Sequence, residues 1–222
     1  MNKTQNSIYL YVLFSILYLI GTFFGFYSLS FYTKPFIIPS LLLFYFLSND
    51  NKISFSLVLI LFFSYVGDLL YLIDINRFYY FGLFIFLLPY TIILFILYKD
   101  FSKIISNKKK IDLTFLIILI VLLVLMLTIL FMLEVNSIYV FLFYLIFGLQ
   151  LVLMGVLTSI IYYNESNRAN YYLTLASSAF ILSDMFFILD KSFFESEYLK
   201  IINIFCQTIS YFFIVKYFLN KK

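Results

Sequence analysis

Residues 113–133 read LTFLIILIVLLVLMLTILFML, a run of 21 residues without a charged side chain. A helix that crosses the hydrocarbon core of a bilayer needs about 20 apolar residues, because each residue adds about 1.5 Å along the axis. The run has this length and follows closely on the basic stretch Lys108-Lys109-Lys110. It therefore predicts a membrane-spanning helix, and the fold of the chain depends on how often such a run recurs.

The composition extends this interpretation to the whole chain. Of its 222 residues, 64% are hydrophobic and only 12% are charged, and the mean hydropathy is +1.05. About a quarter of the residues of a soluble domain are charged, and so few polar side chains could not cover a water-soluble fold of this size. The sequence therefore predicts an all-α, polytopic integral membrane protein with a single domain over residues 1–222.

Charged and asparagine-containing breaks divide the chain into eight apolar segments of spanning length. The eight transmembrane helices are predicted at residues 8–29, 31–48, 53–73, 78–98, 113–133, 137–163, 171–189 and 198–219. The first segment is too long for the core of a signal peptide and has no small-residue cleavage site after it. It is therefore interpreted as a retained helix.

Basic residues in the short loops predict the orientation. If the N-terminus is cytoplasmic, ten basic residues lie on the cytoplasmic side: Lys3, Lys52, Lys99, Lys103, Lys108, Lys109, Lys110, Arg168, Lys221 and Lys222. Four lie on the other side: Lys34, Arg77, Lys191 and Lys200. Both termini are therefore predicted to be cytoplasmic, in the inner membrane of a bacterium. The short basic loop at 108–110 fits contact with anionic lipid head groups and does not indicate a nucleic-acid partner.

The chain has no histidine and a single cysteine, Cys206. It therefore cannot form an intrachain disulfide, a Cys- or His-based zinc site, a His-ligated haem site or a triad with an imidazole base. The sequence predicts no metal and no cofactor, and it leaves the oligomeric state open.

Two segments share one short pattern, GDLLYLID at 67–74 and SDMFFILD at 183–190, and both end in Asp-x5-Asp. In each, the first aspartate is about 9 Å deeper in the membrane than the second. The two segments lie four predicted helices apart and thus run in the same direction, as a four-plus-four duplication would require. Chance in a low-complexity apolar chain explains the pattern equally well.

The two deeper aspartates, Asp68 and Asp184, are the candidate catalytic residues. A carboxylate within a membrane helix costs about 2.5–3.5 kcal/mol, so such residues often face a water-filled interior and mark a functional site. Two such carboxyls can act as a general acid and an anionic base, the logic of glycoside hydrolysis, which also suits a vinyl ether. A buried hydrogen-bonded pair is the structural alternative. The outer aspartates, Asp74 and Asp190, are expected to be solvated at head-group level.

Other polar side chains of the predicted helices offer support for the two carboxyls. Lys34, just before Pro35, could bind a lipid phosphate, steady a carboxylate or anchor its helix at the membrane surface. Hydrogen bonds around the carboxyls are expected from Ser64, Tyr90, Gln150, Ser177 and Gln207. The residues predicted to bind substrate or to give electrostatic support are Lys34, Ser64, Tyr90 and Ser183.

Three of these stretches resemble the YhhN family: TKP at 33–35, FSYVGDLL at 63–70, and AFILSD at 179–184 with Lys191 and Phe193 following. The resemblance covers nearly the whole chain and implies about eight helices. The family includes lysoplasmalogenases, which cleave the vinyl ether bond of lysoplasmalogens to a fatty aldehyde and a glycerophospho head group. The resemblance therefore implies a membrane lipid substrate and a polar site made of Lys34, Asp68 and Asp184.

The chain departs from the family pattern at two places. The family often has a histidine in the fourth helix, where this chain has Tyr90, and a Tyr-x-x-Ala-Gln run in the last helix, where the sequence after Tyr211 has no glutamine. These differences leave three functions open. One is a lysoplasmalogenase-like hydrolase. The others are a carrier or proton-coupled binder that uses the same aspartate pair, and a scaffold whose site has degenerated.

Overall fold

A computed structural model describes residues 3–49, 53–106, 112–133 and 137–221 and places nearly all of them in helices. The helices are α1 (Lys3–Phe23), α2 (Tyr27–Ser48), α3 (Phe55–Ser106), α4 (Leu113–Met132), α5 (Ile138–Asn164), α6 (Arg168–Leu189) and α7 (Glu197–Asn220). A π-helical turn, Asp190–Phe194, extends α6. These seven helices are long and apolar enough to cross a membrane. The prediction of an all-α, multi-pass protein is therefore confirmed.

Helix α3 is a hairpin of two arms. Its 52 residues would reach about 78 Å as one straight helix, far more than a bilayer core. The backbone is extended at Asp74, with φ −160° and ψ 101°, and the chain reverses there. Oδ1 of Asp74 accepts hydrogen bonds from the backbone N–H groups of Asn76 and Arg77, both at 3.1 Å. Asp74 is exposed, as expected, and caps the second arm.

Glycines bring the two arms of α3 into close contact. A Cβ atom on Gly82 would lie 2.1 Å from the Tyr71 ring, and one on Gly67 would lie 2.8 Å from the Phe86 ring. These pairs show that the first arm, 55–73, runs antiparallel to the second. Two predicted segments therefore form one tight hairpin, because only glycine leaves room for the rings of the opposite arm.

The boundary between α1 and α2 differs from the prediction. The first two segments were expected to meet near residue 30, but α1 ends at Phe23 and α2 begins at Tyr27. Gly25 lies between them with φ +68°, a conformation that glycine adopts without strain and that commonly ends a helix. As a result Lys34 lies two turns inside α2 and not in its first turn.

Polar and apolar helices occupy different places in the bundle. Helix α7 contacts α1, α2, α3 and α6, whereas α4 packs mainly on α5. Only Phe115, Met126 and Leu130 of α4 are buried, so the rest of its apolar surface is free to face lipid. The helix with the most uniform apolar sequence is thus peripheral, and the bundle centre contains the polar side chains.

The bundle has two distinct ends. At the terminal end, the hydroxyl of Thr4 donates to the carbonyl of Leu47 at 3.3 Å, and Lys221 forms an ion pair with Asp100 at 2.7 Å. At the opposite end, here called the hairpin end, lie the α1–α2 turn, the reversal at Asp74 and the π-helical turn. The basic loop at 108–110, Lys52 and Lys222 lie outside the described residues.

Candidate active site

A cavity of about 390 Å³ lies within the hairpin end, between α1, α2, α3, α6 and α7, with Phe147 of α5 at its edge. The polar side chains that line it deepest in the bundle are Lys34, Asp68, Asp184, Asn203 and Gln207. The apolar part of the lining, here called the apolar wall, includes Tyr71, Leu83, Phe86, Phe147, Phe187 and Ile204. The cavity therefore presents both predicted catalytic carboxyls to one space, beside a surface suited to a hydrocarbon chain.

Asp68, in the first arm of α3, is held by three donors. The ammonium group of Lys34 lies 3.1 Å from Oδ1, which also accepts a hydrogen bond from the Gln207 amide at 3.1 Å. Oδ2 accepts one from the hydroxyl of Tyr211 at 3.0 Å. Only about a tenth of the Asp68 and Lys34 side chains is exposed. The ion pair and its two neutral donors offset the cost of burying the charged carboxylate.

Lys34 is committed to this carboxylate. Its ammonium group also lies 5.4 Å from the centre of the Tyr18 ring on α1, within the range of a cation–π contact. The shift of α2 places the lysine at the depth of Asp68. Of the roles expected for Lys34, the structure shows the contact with a carboxylate.

Asp184, on α6, has different surroundings. Its Oδ2 accepts a hydrogen bond of 2.5 Å from the hydroxyl of Tyr90. The Tyr90 ring is almost fully buried and makes edge contacts with Phe147 and Phe180, at 5.7 and 5.5 Å between centroids. In the described part of the chain no lysine or arginine forms an ion pair with Asp184. Asp184 thus has one neutral donor in the described part of the chain, whereas Asp68 has two neutral donors and an ammonium group.

The predicted serines lie one step away from the carboxyls. Ser64 is buried one turn before Asp68 and lies near Tyr211, which donates to Asp68. The hydroxyl of Ser183 donates to the carbonyl of Asn203 at 3.2 Å, and the Asn203 amide donates back to the Ser183 carbonyl at 2.7 Å. Ser183 therefore joins α6 to α7, and its hydroxyl forms no hydrogen bond with the Asp184 carboxyl among the described residues.

Two further polar residues also lie away from the carboxyls. The amide of Gln150 donates to the hydroxyl of Thr91 at 2.9 Å, and the buried hydroxyl of Ser177 has no hydrogen-bond partner among the described residues. The expectation that they contact the carboxyls was wrong. Tyr90 and Gln207 do contact them.

The spacing of polar residues in α7 would have predicted that this helix contributes to the site. Asn203, Gln207 and Tyr211 recur every fourth residue, so they share one face of α7. The glutamine that seemed absent after Tyr211 has a counterpart one turn before it, where Gln207 contacts Asp68. Tyr211 itself was not predicted as a site residue.

Asp190 was expected to be solvated but is buried, with 6% of its surface exposed. The chain folds back over it after the π-helical turn, and its Oδ1 accepts a hydrogen bond from the Ser196 N–H at 2.9 Å. Glu195, in this reversal, has φ +25°. Asp190 thus stabilises the connection between α6 and α7.

No group of three or more carboxylates or thiols that could hold a metal ion is present within the described ranges. The groups around the two deeper carboxyls are the ammonium group of Lys34, the phenols of Tyr90 and Tyr211, and the amide of Gln207. This set can donate, accept and stabilise protons at a bond placed between Asp68 and Asp184.

One of three comparisons with known proteins found a match. The model of the YhhN family matches residues 29–217, a region that includes Lys34, Asp68, Asp184 and Tyr211. No match was found among curated proteins or among solved structures. Because the family model covers most of the chain, the protein belongs to the YhhN family.

Proposed function

We propose that this protein is a membrane-embedded hydrolase resembling the lysoplasmalogenases of its family, and that it cleaves the vinyl ether bond of a lysoplasmalogen. The observation that carries this proposal is the arrangement of Asp68 and Asp184. They come from different helices, line the same cavity, and have opposite hydrogen-bonding surroundings. Pairs of carboxyls with contrasting environments are the usual means by which enzymes separate an acid from a base.

The surroundings of the two carboxyls support an assignment of acid and base. Three donors, one of them an ammonium group, favour the ionised form of Asp68. Among the described residues Asp184 has a single neutral partner, Tyr90, at Oδ2, which leaves Oδ1 for a proton. Since two carboxyls in one sheltered cavity are reluctant to ionise together, we assign Asp184 as the general acid and Asp68 as the anionic base.

These roles give a balanced reaction. Asp184 donates its proton to the alkene carbon that is not bonded to the ether oxygen. The ether oxygen shares the positive charge of the resulting oxocarbenium ion, and the carboxylate of Asp68 stabilises this ion. Water adds to the cation as Asp68 takes one of its protons, and a hemiacetal forms. Transfer of that proton to the ether oxygen, cleavage of the carbon–oxygen bond and return of the hydroxyl proton to Asp184 release the aldehyde and the glycerol hydroxyl.

The shape of the cavity supports a lipid substrate. Tyr71 and Phe187 stack with their ring centroids 5.2 Å apart on the apolar wall, and they lie one helical turn after Asp68 and Asp184 respectively. A lysoplasmalogen likewise combines an apolar part with a charged part, because its vinyl ether joins a hydrocarbon chain to a polar glycerophosphate. The reactive bond would lie at the boundary between the two surfaces, next to Asp68 and Asp184.

The finer topology is part of the proposal. The two arms of α3, 55–73 and 75–106, have 19 and 32 residues and are each long enough to cross a bilayer core. Counted separately, they raise the number of spans to eight and leave both termini on one side. The excess of basic residues on that side makes it the cytoplasmic face, so the cavity would open toward the outside of the inner membrane of a bacterium.

Aldehyde release by the purified protein in detergent tests the proposal. We expect the wild type to release aldehyde from a lysoplasmalogen and not from an acyl lysophospholipid. Asp184→Asn and Asp68→Asn should each lower turnover by about 100-fold to 10,000-fold, the contribution typical of general acid–base catalysis. Asp74→Asn is the matched control, because the same chemical change falls on an exposed cap where asparagine serves equally well.

Two outcomes would contradict the proposal. If the folded wild type releases no aldehyde across several head groups and pH values, the carrier or proton-coupled binder becomes the working hypothesis, with gradient-driven uptake as its test. If turnover is present but survives both substitutions, the two aspartates do not carry the reaction.

A further inference from the structure

The mouth of the cavity contains two lysines that the proposed chemistry does not use. Lys191 follows the first residue of the π-helical turn, and Lys200 lies one turn into α7; both line the cavity. Lys34, the third lysine of the lining, is occupied by Asp68 at 3.1 Å. A substrate anion that enters the cavity would therefore meet Lys191 and Lys200 while Lys34 remains paired.

Lys200 is the less committed of the two. Lys191 lies 3.9 Å from Asp190, at the limit of an ion pair, whereas Lys200 forms no ion pair with any residue in the described ranges. The charged groups around Lys200 are Lys191, Asp190, Lys34 and Glu197. Two of these four are cations and two are acids, so Lys200 itself gives this cluster its excess of positive charge.

The spacing along α7 fits the distance between a head-group phosphate and a vinyl ether. Lys200 precedes Gln207, which contacts Asp68, by seven residues, so the two lie about 10 Å apart along the axis. In a lysoplasmalogen, six bonds separate the phosphorus from the reacting carbon, about 7 Å when extended. The difference of a few ångströms between these two lengths is taken up by the contact of Lys200 with the phosphate and the contact of Asp68 with the vinyl ether. The phosphate can thus reach Lys200 while the vinyl ether lies beside Asp68.

We propose that Lys200, assisted by Lys191, binds the phosphate of the lipid head group and so sets the depth at which the vinyl ether enters the site. This inference rests on the proposed function and assigns its head-group contact to residues that neither the sequence patterns nor the reaction required. Lys34, which the sequence offered for this role, is a partner of the catalytic carboxylate.

The acids at the mouth narrow the choice of ligand. Glu197, one turn before Lys200, and Asp190 line the same part of the cavity. They oppose a lone inorganic phosphate but suit a phosphodiester whose head group contributes its own ammonium group. A phosphoethanolamine head group has both charges and is therefore the probe of choice.

The test compares two substrates in the full-length protein in detergent. One is a lysoplasmalogen with a phosphoethanolamine head group, and the other is a 1-alkenylglycerol that has the same vinyl ether and no phosphate. We expect Lys200→Gln to raise KM for the first by about tenfold, with kcat nearly unchanged, and to leave both constants unchanged for the second. Lys99→Gln is the control, because Lys99 is an exposed lysine at the terminal end.

An unchanged KM for the phosphate substrate, or an equal rise for both substrates, would overturn the assignment. If the wild type cleaves neither substrate, the proposed function has failed, and binding of the saturated 1-alkyl lysophospholipid against 1-alkylglycerol decides the head-group site by itself. Weaker binding of the phospholipid alone in Lys200→Gln supports the site, and equal binding overturns it. Displacement of the phospholipid by inorganic phosphate with equal affinity would identify a free-phosphate site and overturn the lipid assignment.

Discussion

The segments 67–74 and 183–190 have the same spacing of aspartates and opposite chemical surroundings. In both, the first aspartate lines the cavity and the second lies where the helix is interrupted. Asp68 receives an ammonium group, an amide and a phenol, and Asp184 receives one phenol. The outer aspartates differ too, since Asp74 is exposed and Asp190 is buried.

The difference shows what a sequence pattern can specify in a membrane protein. An interval of six residues fixes the depth of each carboxyl along its own helix. The protonation state depends on which other helices supply donors, and α2 and α7 supply them only to Asp68. Two copies of one motif can therefore provide the two halves of an acid–base pair.

Removal of the Lys34 ammonium group, the counter-charge of Asp68, should have the largest effect. We expect Lys34→Met to lower the free energy of unfolding in detergent by about 3 kcal/mol, because it leaves a buried carboxylate without its counter-charge. The double variant with Asp68→Asn should recover much of this loss, since no unpaired charge remains. Thermal unfolding of the two variants and the wild type measures both effects.

The control for that experiment is Lys103→Met. Lys103 pairs with Asp100 at 3.3 Å at the terminal end, but 71% of its side chain is exposed. An exposed ion pair contributes little to stability, so we expect almost no change. A loss in Lys34→Met no greater than in Lys103→Met would show that the buried pair does not stabilise the fold.

Two tyrosine substitutions sharpen the comparison of the carboxyls. Tyr90→Phe removes the one donor that Asp184 has among the described residues. It should lower kcat by about tenfold to a hundredfold, because that donor stabilises the carboxylate formed when the proton leaves. Tyr211→Phe leaves Asp68 with Lys34 and Gln207 and should lower kcat by only about threefold. Steady-state aldehyde release measures both, and phenylalanine keeps the ring packing in each case.

The order of these two effects is the informative result. If Tyr211→Phe impairs turnover as much as Tyr90→Phe, the three donors of Asp68 do not share its charge, and the assignment of acid and base has to be exchanged or abandoned.

The outer aspartates give the smallest expected effects. Asp190→Ala leaves the Ser196 N–H without its acceptor in a buried connection and should lower the free energy of unfolding by about 2 kcal/mol. Asp74→Ala removes an exposed helix cap and should cost about 1 kcal/mol. Unfolding of the two variants under identical conditions checks the order; a greater loss in Asp74→Ala would contradict the difference in burial.

Hydropathy predicted the helices well and their connections less well. The segments predicted at 113–133, 137–163 and 198–219 agree with α4, α5 and α7 to within one residue at each end. The α1–α2 turn was misplaced because apolar residues continue on both sides of Gly25, and hydropathy does not register a positive φ angle. The burial of Asp190 was missed because it results from the chain folding back after α6.

The sequence by itself determined that the chain forms apolar helices in a membrane, and that Lys34, Asp68 and Asp184 lie within them. Both properties are local, since they depend on the side chains of a single segment and the rise of a helix. The tertiary structure alone decided the partners of these residues. Tyr90 reaches Asp184 across 94 residues and Tyr211 reaches Asp68 across 143. Such contacts depend on which helices pack together and at what rotation, and no single segment encodes them.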